Sequence, residues 1–321
     1  MRPLVAGTIV AHRYEILALL GSGGMGHVYR ARHLALHTEV ALKLLGRPSA
    51  EHAGRIEREA RAIARLDHPG CVRIRDHGVD ERGTPYVAME LLDGPTLAAV
   101  GAPLEVARAV AIAKSLLAAL AHAHAHGVIH RDVKPANVMF RRGNGWRPVL
   151  IDFGLASLRD APALTGNGLA VGSPSYIAPE RLYGNPYDAR ADIYAVGVIL
   201  YELLAGTRPF GGDSPEEIMA SAMTRPPRPL RALVPGVSPG LEGVIRRALA
   251  KDPARRFADA EEMMSALDVA TETSEAIAAD EEPTSAATFI ELLRVRPSWL
   301  SRMWSWLRYG AWRWKPQPSQ H

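Results

Sequence analysis

Cysteine is nearly missing from this chain. Cys71 is the only one among 321 residues, so no disulfide can form within the chain. That usage fits a reducing compartment. Long apolar runs are also scarce: the most apolar runs are short, and residues 193–205, one of them, contain Glu202, so we expect no membrane-spanning helix. Residues 1–15 have no apolar stretch long enough for a secretion signal, and we therefore expect a cytoplasmic location.

Acidic residues are rare in the last part of the chain. Residues 289–321 hold six basic residues against one acidic residue, Glu291, which is a net charge of +5. Because the whole chain carries only +4, residues 1–288 together are slightly acidic. The positive charge is therefore local, and it does not predict nucleic-acid binding by the main body.

Tryptophan is rare outside the same region, because residues 299–314 hold five of the six tryptophans. On a helix, the large apolar side chains of this Trp-rich segment would share one arc of about 160°; they are Trp299, Leu300, Met303, Trp304, Trp306 and Leu307. Such a face, with arginines opposite, suits an anionic membrane surface. Docking on the chain's own folded part or on a partner protein are the alternatives. The segment is too short and too charged to span a bilayer.

What the chain contains is a change of pattern along its length. Residues 14–45 alternate apolar and polar around glycines, which predicts three strands, and two more strands are predicted around 71–78 and 85–92. A charged amphipathic helix is predicted over 51–66 and a long Ala/Leu-rich helix over 103–126. A β-rich first third followed by an α-rich remainder indicates two lobes that join near residues 90–93.

Composition also predicts the domain boundaries. We assign residues 1–92 to a small β-rich N-lobe and residues 93–269 to a larger helical C-lobe. Residues 270–288 are acidic, small and polar, which predicts a solvated linker before the basic Trp-rich region 289–321.

A glycine-rich stretch, Gly21-Ser-Gly-Gly-Met-Gly26, precedes Val28 and a strand. Glycines let backbone N–H groups approach phosphates, although a glycine-rich hairpin without a ligand is the simpler alternative. A strand rather than a helix follows, and the next strand carries Lys43, which is the layout of a flap over ATP. Glu59 is the best candidate for the anionic partner of Lys43; Glu57 is the second, and both could also be solvated helix charges.

Two further motifs lie downstream of the lysine. The first is His130-Arg-Asp-Val-Lys-Pro-Ala-Asn137, in which Asp132 would take or orient a substrate hydroxyl proton and Lys134 would meet the phosphoryl charge. Asn137 offers a neutral oxygen to Mg²⁺. The second motif is Asp152-Phe-Gly154, whose carboxylate would bind the bridging Mg²⁺. Their order and their 20-residue spacing make chance an unsatisfactory explanation.

With these motifs the sequence resembles the protein kinase superfamily, and most closely the bacterial Ser/Thr kinases of eukaryotic type. The resemblance covers about residues 10–268. It implies an α+β, bilobal protein kinase fold that uses ATP with Mg²⁺, or with Mn²⁺ in its place. Three more residues match the family: Glu180 of an Ala-Pro-Glu motif, Asp192 as the brace of the catalytic-loop backbone, and Arg256 as the partner of Glu180.

The resemblance also implies roles at the nucleotide site. Met89 would be the gatekeeper, and Glu90 to Leu92 would form the hinge that receives adenine. The residues implied to contact the nucleotide are Leu20, Gly21, Gly23, Gly26, Val28, Ala41, Lys43, Met89, Glu90, Leu92 and Asp93. Lys134 followed by a proline favours Ser/Thr specificity, and protein substrates are the implied partners.

Regulation is implied by Arg131, which directly precedes Asp132 and could pair with a phosphate on the activation segment. Thr165 is the first choice of phosphosite, with Ser157 and Ser173 behind it. Ser173 itself departs from the family by replacing threonine, and Ala195 replaces a commoner serine. Neither change touches the expected phosphate or metal ligands.

Three alternatives stay open at this point. The first is a catalytically silent kinase fold that acts as a scaffold, although every mapped catalytic position holds the expected residue. The second is phosphoryl transfer to small molecules. The third concerns His122 and His126, whose i, i+4 spacing could bind a metal, whereas histidines in this helix are also common in the family.

Overall fold

The computed structural model describes residues 2–23, 26–46, 58–142, 146–153 and 174–278, with side chains up to residue 272. The chain divides into two compact units, Met1–Ser274 and Glu275–His321. Almost all of the second unit lies outside the described residues. The fold of the first unit follows.

The N-terminal part is a six-stranded antiparallel sheet in the order β1-β2-β3-β4-β6-β5. Along β3 the side chains alternate: Tyr29 and Ala31 are buried, whereas Arg30 and Arg32 are exposed. This period of two is what places one face of a strand on a core. The strands are β1 (Ile9–Val10), β2 (Tyr14–Gly23), β3 (Gly26–His33), β4 (Glu39–Leu45), β5 (Ile74–Val79) and β6 (Pro85–Glu90).

Helices dominate the remainder of the unit. α3 and α5 pack against each other at its centre, and 13 of the 16 residues of α5 are buried. Residues 58–63 are helical and are called α1 here. The other helices are α2 (Leu97–Val100), α3 (Val106–Ala125), α4 (Pro179–Leu182), α5 (Arg190–Ala205), α6 (Pro215–Thr224), α7 (Pro239–Ala248) and α8 (Ala260–Ala278).

A small hairpin joins the sheet to the helical part. Its strands are β7 (Val138–Arg141) and β8 (Arg147–Leu150), and β7 follows directly after a 3₁₀ turn, Pro135–Asn137. A parallel bridge connects Cys71 with Leu150. The motifs 130–137 and 152–154 therefore flank one hairpin, which brings them together although they are distant in sequence.

The bilobal α+β expectation is confirmed, but the boundary at residue 270 is wrong. α8 continues to Ala278, through the first half of the predicted linker. Ala270 is buried on the core, and the Thr271 hydroxyl donates to the carbonyls of Leu267 and Asp268. The polar composition of residues 270–278 predicts a linker, but these residues continue α8, and Ala270 packs on the core.

The expectation that no segment could span a membrane also needs correction. Among the described residues, α3 is long and apolar enough to cross a bilayer by length and composition. Half of it is buried inside the unit, with Leu116, Leu117 and Leu120 fully covered. The apolar character of α3 is that of a core helix, so it is weak evidence for a membrane span.

Candidate active site

Asp192 of α5 binds the backbone of the loop that carries Asp132. Asp192 accepts hydrogen bonds from the backbone N–H of His130, at 2.8 Å, and of Arg131, at 2.9 Å. His124 Nε2 of α3 lies 2.9 Å from the same carboxylate. Burial alone would raise the pKa of Asp192, but these hydrogen bonds and the nearby imidazoles hold it below its usual range. The structure thus brings Asp192 to the position that the sequence predicts.

His130 links this loop to the strand that precedes Asp152. Its Nε2 lies 3.0 Å from the Ile151 carbonyl, and its Nδ1 accepts the backbone N–H of Asp132 at 3.3 Å. These two partners select the neutral tautomer with the proton on Nε2. Complete burial lowers the pKa of His130, which agrees with a neutral ring.

The Asp132 carboxylate has two different oxygens. Oδ2 accepts from Lys134 Nζ at 2.7 Å and from Asn137 Nδ2 at 2.8 Å. Within the described ranges Oδ1 has no hydrogen-bond partner, and the side chain is partly exposed. One oxygen is therefore fixed by the protein, and the other can accept a proton from a ligand.

Lys43 lies on β4 with 4% of its surface exposed, and its Nζ is 2.9 Å from Asp152 Oδ1. β3 passes beside it, because Val28 pairs directly with Lys43. Gly26, with φ of 132°, allows this approach, since a Cβ there would meet the Leu44 carbonyl oxygen at 1.9 Å. Any other residue at position 26 would push the two strands apart.

The predicted Lys43–Glu59 pair is not formed between these two side chains in this structure. Glu59 Oε1 on α1 instead accepts a hydrogen bond from Arg131 Nη1 at 3.0 Å, while Lys43 pairs with Asp152. The backbone of Arg131 is left-handed, with φ of 69°. Of the two cations, Lys43 and Arg131, it is Arg131 that binds the Glu59 carboxylate in this structure. The alternative partner, Glu57, lies outside the described residues.

The proposed nucleotide contacts lie around one surface between β2 and the residues after β6. Ala41 and Met89 are buried neighbours across β4 and β6, whereas Leu20 is half exposed. A Cβ added at Gly21 or Gly23 would meet no atom within 4 Å, so the fold itself does not require glycine there. That open space fits a ligand which approaches the backbone closely. Met25 and Gly24 lie outside the described residues.

The predicted hinge, at the end of β6, is bound by Arg73 and by the end of β7. The Glu90 carboxylate accepts from the Arg73 backbone N–H and from Arg141, and Asp93 accepts from the backbone N–H of Arg142. These bonds occupy the side chains of Glu90 and Asp93. Leu92 packs against the main core.

The two residues that would bind Mg²⁺, Asn137 and Asp152, are connected by a backbone hydrogen bond next to Asp152. The backbone N–H of Ile151 donates to the Asn137 carbonyl at 2.9 Å, which sets Asp152 beside Asn137. Asn137 uses its Nδ2 on Asp132 and so leaves its side-chain oxygen for a cation. A carboxylate and an amide oxygen are ligands that suit Mg²⁺, so these residues fit the implied metal.

A second buried network anchors α4, the helix that begins at the Ala-Pro-Glu motif. Arg256 binds Glu180 through its two terminal nitrogens, Nη1 at 2.8 Å and Nη2 at 2.6 Å, and both side chains are buried. Arg256 also donates to the backbone carbonyls of Ala250, Arg190 and Lys251. The structure brings together the pair that the resemblance implies.

Two contributors were not assigned a role from the sequence. His124 contacts Asp192, and Arg181 of α4 donates a hydrogen bond to the Arg131 carbonyl. His124 could have been suspected from its place on the helix that precedes the loop. Nothing local to Arg181 points to a residue 50 positions earlier.

The candidate metal site of the α3 histidines is not supported. The described residues contain no group of three or more His, Cys, Asp or Glu that could hold a metal. The rings of His122 and His126 lie 4.4 Å apart, and His126 Nδ1 contacts the His122 carbonyl at 2.8 Å. The phosphosite candidates Ser157, Thr165 and Ser173, and the Trp-rich segment, fall in ranges that the structure does not describe.

A β-sheet that carries a buried lysine, joined to a helical part that carries Asp132, Asn137 and Asp152, defines a bilobal protein kinase domain. The sequence pattern of the family described as protein kinase domain matches residues 14–267, and the chain belongs to this family. The structure is similar to the PknI kinase domain of Mycobacterium tuberculosis, with a TM-score of 0.66 and 33% identity. That similarity covers 84% of this chain and 99% of the PknI domain.

The relatives are bacterial Ser/Thr kinases, which confirms the resemblance. The chain is 41% identical over 269 residues to the serine/threonine-protein kinase pkn3 of Myxococcus xanthus, covering 79% of this chain and 49% of pkn3. It is 42% identical over 269 residues to PknD of Mycobacterium tuberculosis, covering 82% of this chain and 40% of PknD. The chain thus spans about half or less of the length of these relatives.

Proposed function

We propose that this chain is a Ser/Thr protein kinase that transfers the γ-phosphoryl group of ATP to hydroxyls of protein substrates. The observation that carries the proposal is the state of Asp132: Oδ2 is fixed by Lys134 and Asn137, and Oδ1 is available to a substrate hydroxyl. The neighbouring Lys43 and Asp152 supply the opposite charges that a nucleotide with its metal needs.

Each side chain has a defined part in the transfer. Asp132 Oδ1 takes the hydroxyl proton as the substrate oxygen bonds to phosphorus and ADP leaves. Lys134 Nζ, held beside Asp132, meets the charge on the phosphoryl oxygens, and Lys43 orients the phosphates. Mg²⁺, or Mn²⁺ in its place, would be held by Asp152 and the Asn137 side-chain oxygen and would offset the phosphate charge.

Regulation would act through the choice of partner for Glu59. Arg131 now binds Glu59. A phosphate on the activation segment, with Thr165 as our first choice, would offer Arg131 a more highly charged partner. Glu59 would then be free to pair with Lys43. Lys43 would leave Asp152 and contact Glu59 and the phosphates of the nucleotide.

The test is transfer of label from γ-labelled ATP with Mg²⁺ to generic protein substrates and to the chain itself. The wild-type chain should give phosphoserine or phosphothreonine, whereas Lys43→Met and Asp152→Asn should give almost none. Equal label in all three proteins, or label in none, would contradict the proposal. A chain that binds ATP without transfer would be the silent scaffold, and label only on small molecules would change the substrate class.

We further propose that the kinase works in the cytoplasm at an anionic membrane surface, through the Trp-rich segment 299–314. Its support is compositional: residues 289–321 carry five of the six tryptophans and a net charge of +5. Tryptophans favour the headgroup region, and each basic residue near an anionic surface adds roughly 1 kcal/mol.

Liposome co-sedimentation tests this localisation. The full chain should sediment with vesicles of anionic lipid at low salt, and a version that ends at Thr288 should stay in the supernatant. A matched variant with Trp299, Trp304 and Trp306 changed to serine keeps the charge and should lose most binding. If the full chain also stays in the supernatant, docking on a partner protein or on its own folded unit replaces the membrane proposal.

A further inference from the structure

The peptide bond between Arg131 and Asp132 carries the proposed base. Its N–H, on Asp132, donates to His130 Nδ1 at 3.3 Å. Its C=O, on Arg131, accepts from Nη1 of Arg181. Both ends of this single peptide are therefore held by side chains, one from the loop itself and one from α4.

The conformation at this point needs such support. Arg131 has φ of 69°, a left-handed conformation that is unfavourable for an ordinary side-chain residue and persists only where the surroundings fix it. Asp192 fixes the N–H groups of His130 and Arg131. Those bonds leave the rotation of the following peptide, and so the direction of the Asp132 side chain, to the contacts at its two ends, His130 Nδ1 at the N–H and Arg181 Nη1 at the C=O.

Arg181 is itself well placed to do this. It follows Glu180, which the bidentate pair with Arg256 fixes to the C-terminal part of the unit. Its guanidinium also lies over the ring of Tyr187, with Cζ at 4.9 Å from the ring centre. The arginine is thus anchored at its backbone and along one face before it reaches the loop.

We propose that Arg181 is a positioning residue for phosphoryl transfer: by binding the Arg131 carbonyl it fixes the direction of Asp132. A charged donor to a partly buried carbonyl makes a stronger hydrogen bond than a neutral one. This role couples the backbone of the proposed base to α4, the helix that begins at the Ala-Pro-Glu motif. The rate part of the inference rests on the proposed kinase activity, whereas the structural part does not.

The test compares Arg181→Ala with Arg181→Lys, which keeps a charged donor. Arg181→Ala should lower kcat about ten- to a hundredfold, with the KM for ATP within twofold, because the nucleotide contacts lie on the sheet and hinge. Arg181→Lys should restore most of the rate. Hydrogen–deuterium exchange over residues 128–134 should become faster in Arg181→Ala, and this readout needs no activity.

Arg247→Ala is the matched control. Arg247 also stacks on a ring, that of Phe257, and also donates to a backbone carbonyl, that of Arg256; it pairs with Glu262 as well, and among the described residues it makes no hydrogen bond to the loop that carries Asp132. It should keep the wild-type kcat and the wild-type exchange over 128–134. If Arg181→Ala does not fold, Arg181→Gln takes its place, with the same expectations.

The inference is overturned if Arg181→Ala keeps both the wild-type kcat and the wild-type exchange. A general loss of stability would also overturn it. In that case Arg181→Lys loses as much rate as Arg181→Ala, and Arg247→Ala shows the same fall in Tm and in rate. An inactive wild type with faster exchange in Arg181→Ala would sink the proposed function and leave the positioning role standing. An inactive wild type with unchanged exchange would sink both.

Discussion

The two halves of the candidate site are held by different kinds of contact. On the helical side, Asp132 is fixed by a buried network in which Asp192, His124 and His130 each have a defined partner. On the sheet side, Glu59 of α1 pairs with Arg131, and the two side chains are 20% and 26% exposed. The first half is built to stay fixed, and the second can exchange partners at low energetic cost.

The largest expected effect comes from breaking the buried pair of the helical side. Arg256→Ala leaves the Glu180 carboxylate buried without its partner, which should lower the free energy of unfolding by about 3–5 kcal/mol. Denaturant unfolding measures this. Arg255→Ala, next in sequence but 83% exposed, should change stability by less than about 0.5 kcal/mol.

A second variant shows whether the uncompensated charge causes that loss. Replacing both partners, in Glu180→Leu with Arg256→Leu, should recover much of the stability, because no charge is then left buried. A double variant as unstable as the sum of the single ones would mean that the carbonyl contacts of Arg256 matter more than the ion pair.

An intermediate effect is expected from pH. Burial lowers the pKa of His130, so below its ordinary value of about 6.5 the unfolded chain binds a proton that the folded chain does not. Stability should therefore fall as the pH drops from 7 to 5. The lowered pKa of Asp192 acts in the same sense below about pH 4.

Thermal unfolding at pH 7 and pH 5 measures this loss. The difference in Tm should be smaller in His130→Gln than in the wild type, because the variant has no imidazole at position 130 to titrate. His12→Gln, at an exposed side chain, should keep the wild-type difference. An unchanged difference in His130→Gln would mean that the acid sensitivity arises elsewhere.

The smallest effect on stability is expected on the sheet side. Glu59→Gln removes the ion pair with Arg131 and should change the free energy of unfolding by less than about 1 kcal/mol. A loss comparable to that of Arg256→Ala would erase the contrast between the two halves. Urea unfolding of the two variants side by side makes the comparison.

Part of this arrangement was predictable from local patterns: β3 follows from alternation and α3 from its apolar residues. The Asp192 and Arg256 contacts were implied by the resemblance to the kinase family. Each of these has one strongly preferred solution, since a buried charge must find its partner.

The features that the sequence did not predict are those with several solutions of similar energy. Glu59 can bind either Lys43 or Arg131, and spacing along the chain cannot say which cation is closer. The end of α8 depends on how far Ala270 and its neighbours find a surface to pack on. The contact of Arg181 with the Arg131 carbonyl joins segments that only the tertiary fold brings together.

The central claim is that Asp132 acts in the chemistry of phosphoryl transfer and not in holding the nucleotide. The most direct measurement is the single-turnover rate of Asp132→Asn at saturating Mg-ATP, beside its ATP dissociation constant. We predict a rate lower by about 10²–10⁴ with ATP binding unchanged. A near-wild-type rate, or a loss that saturating ATP restores, would contradict the claim.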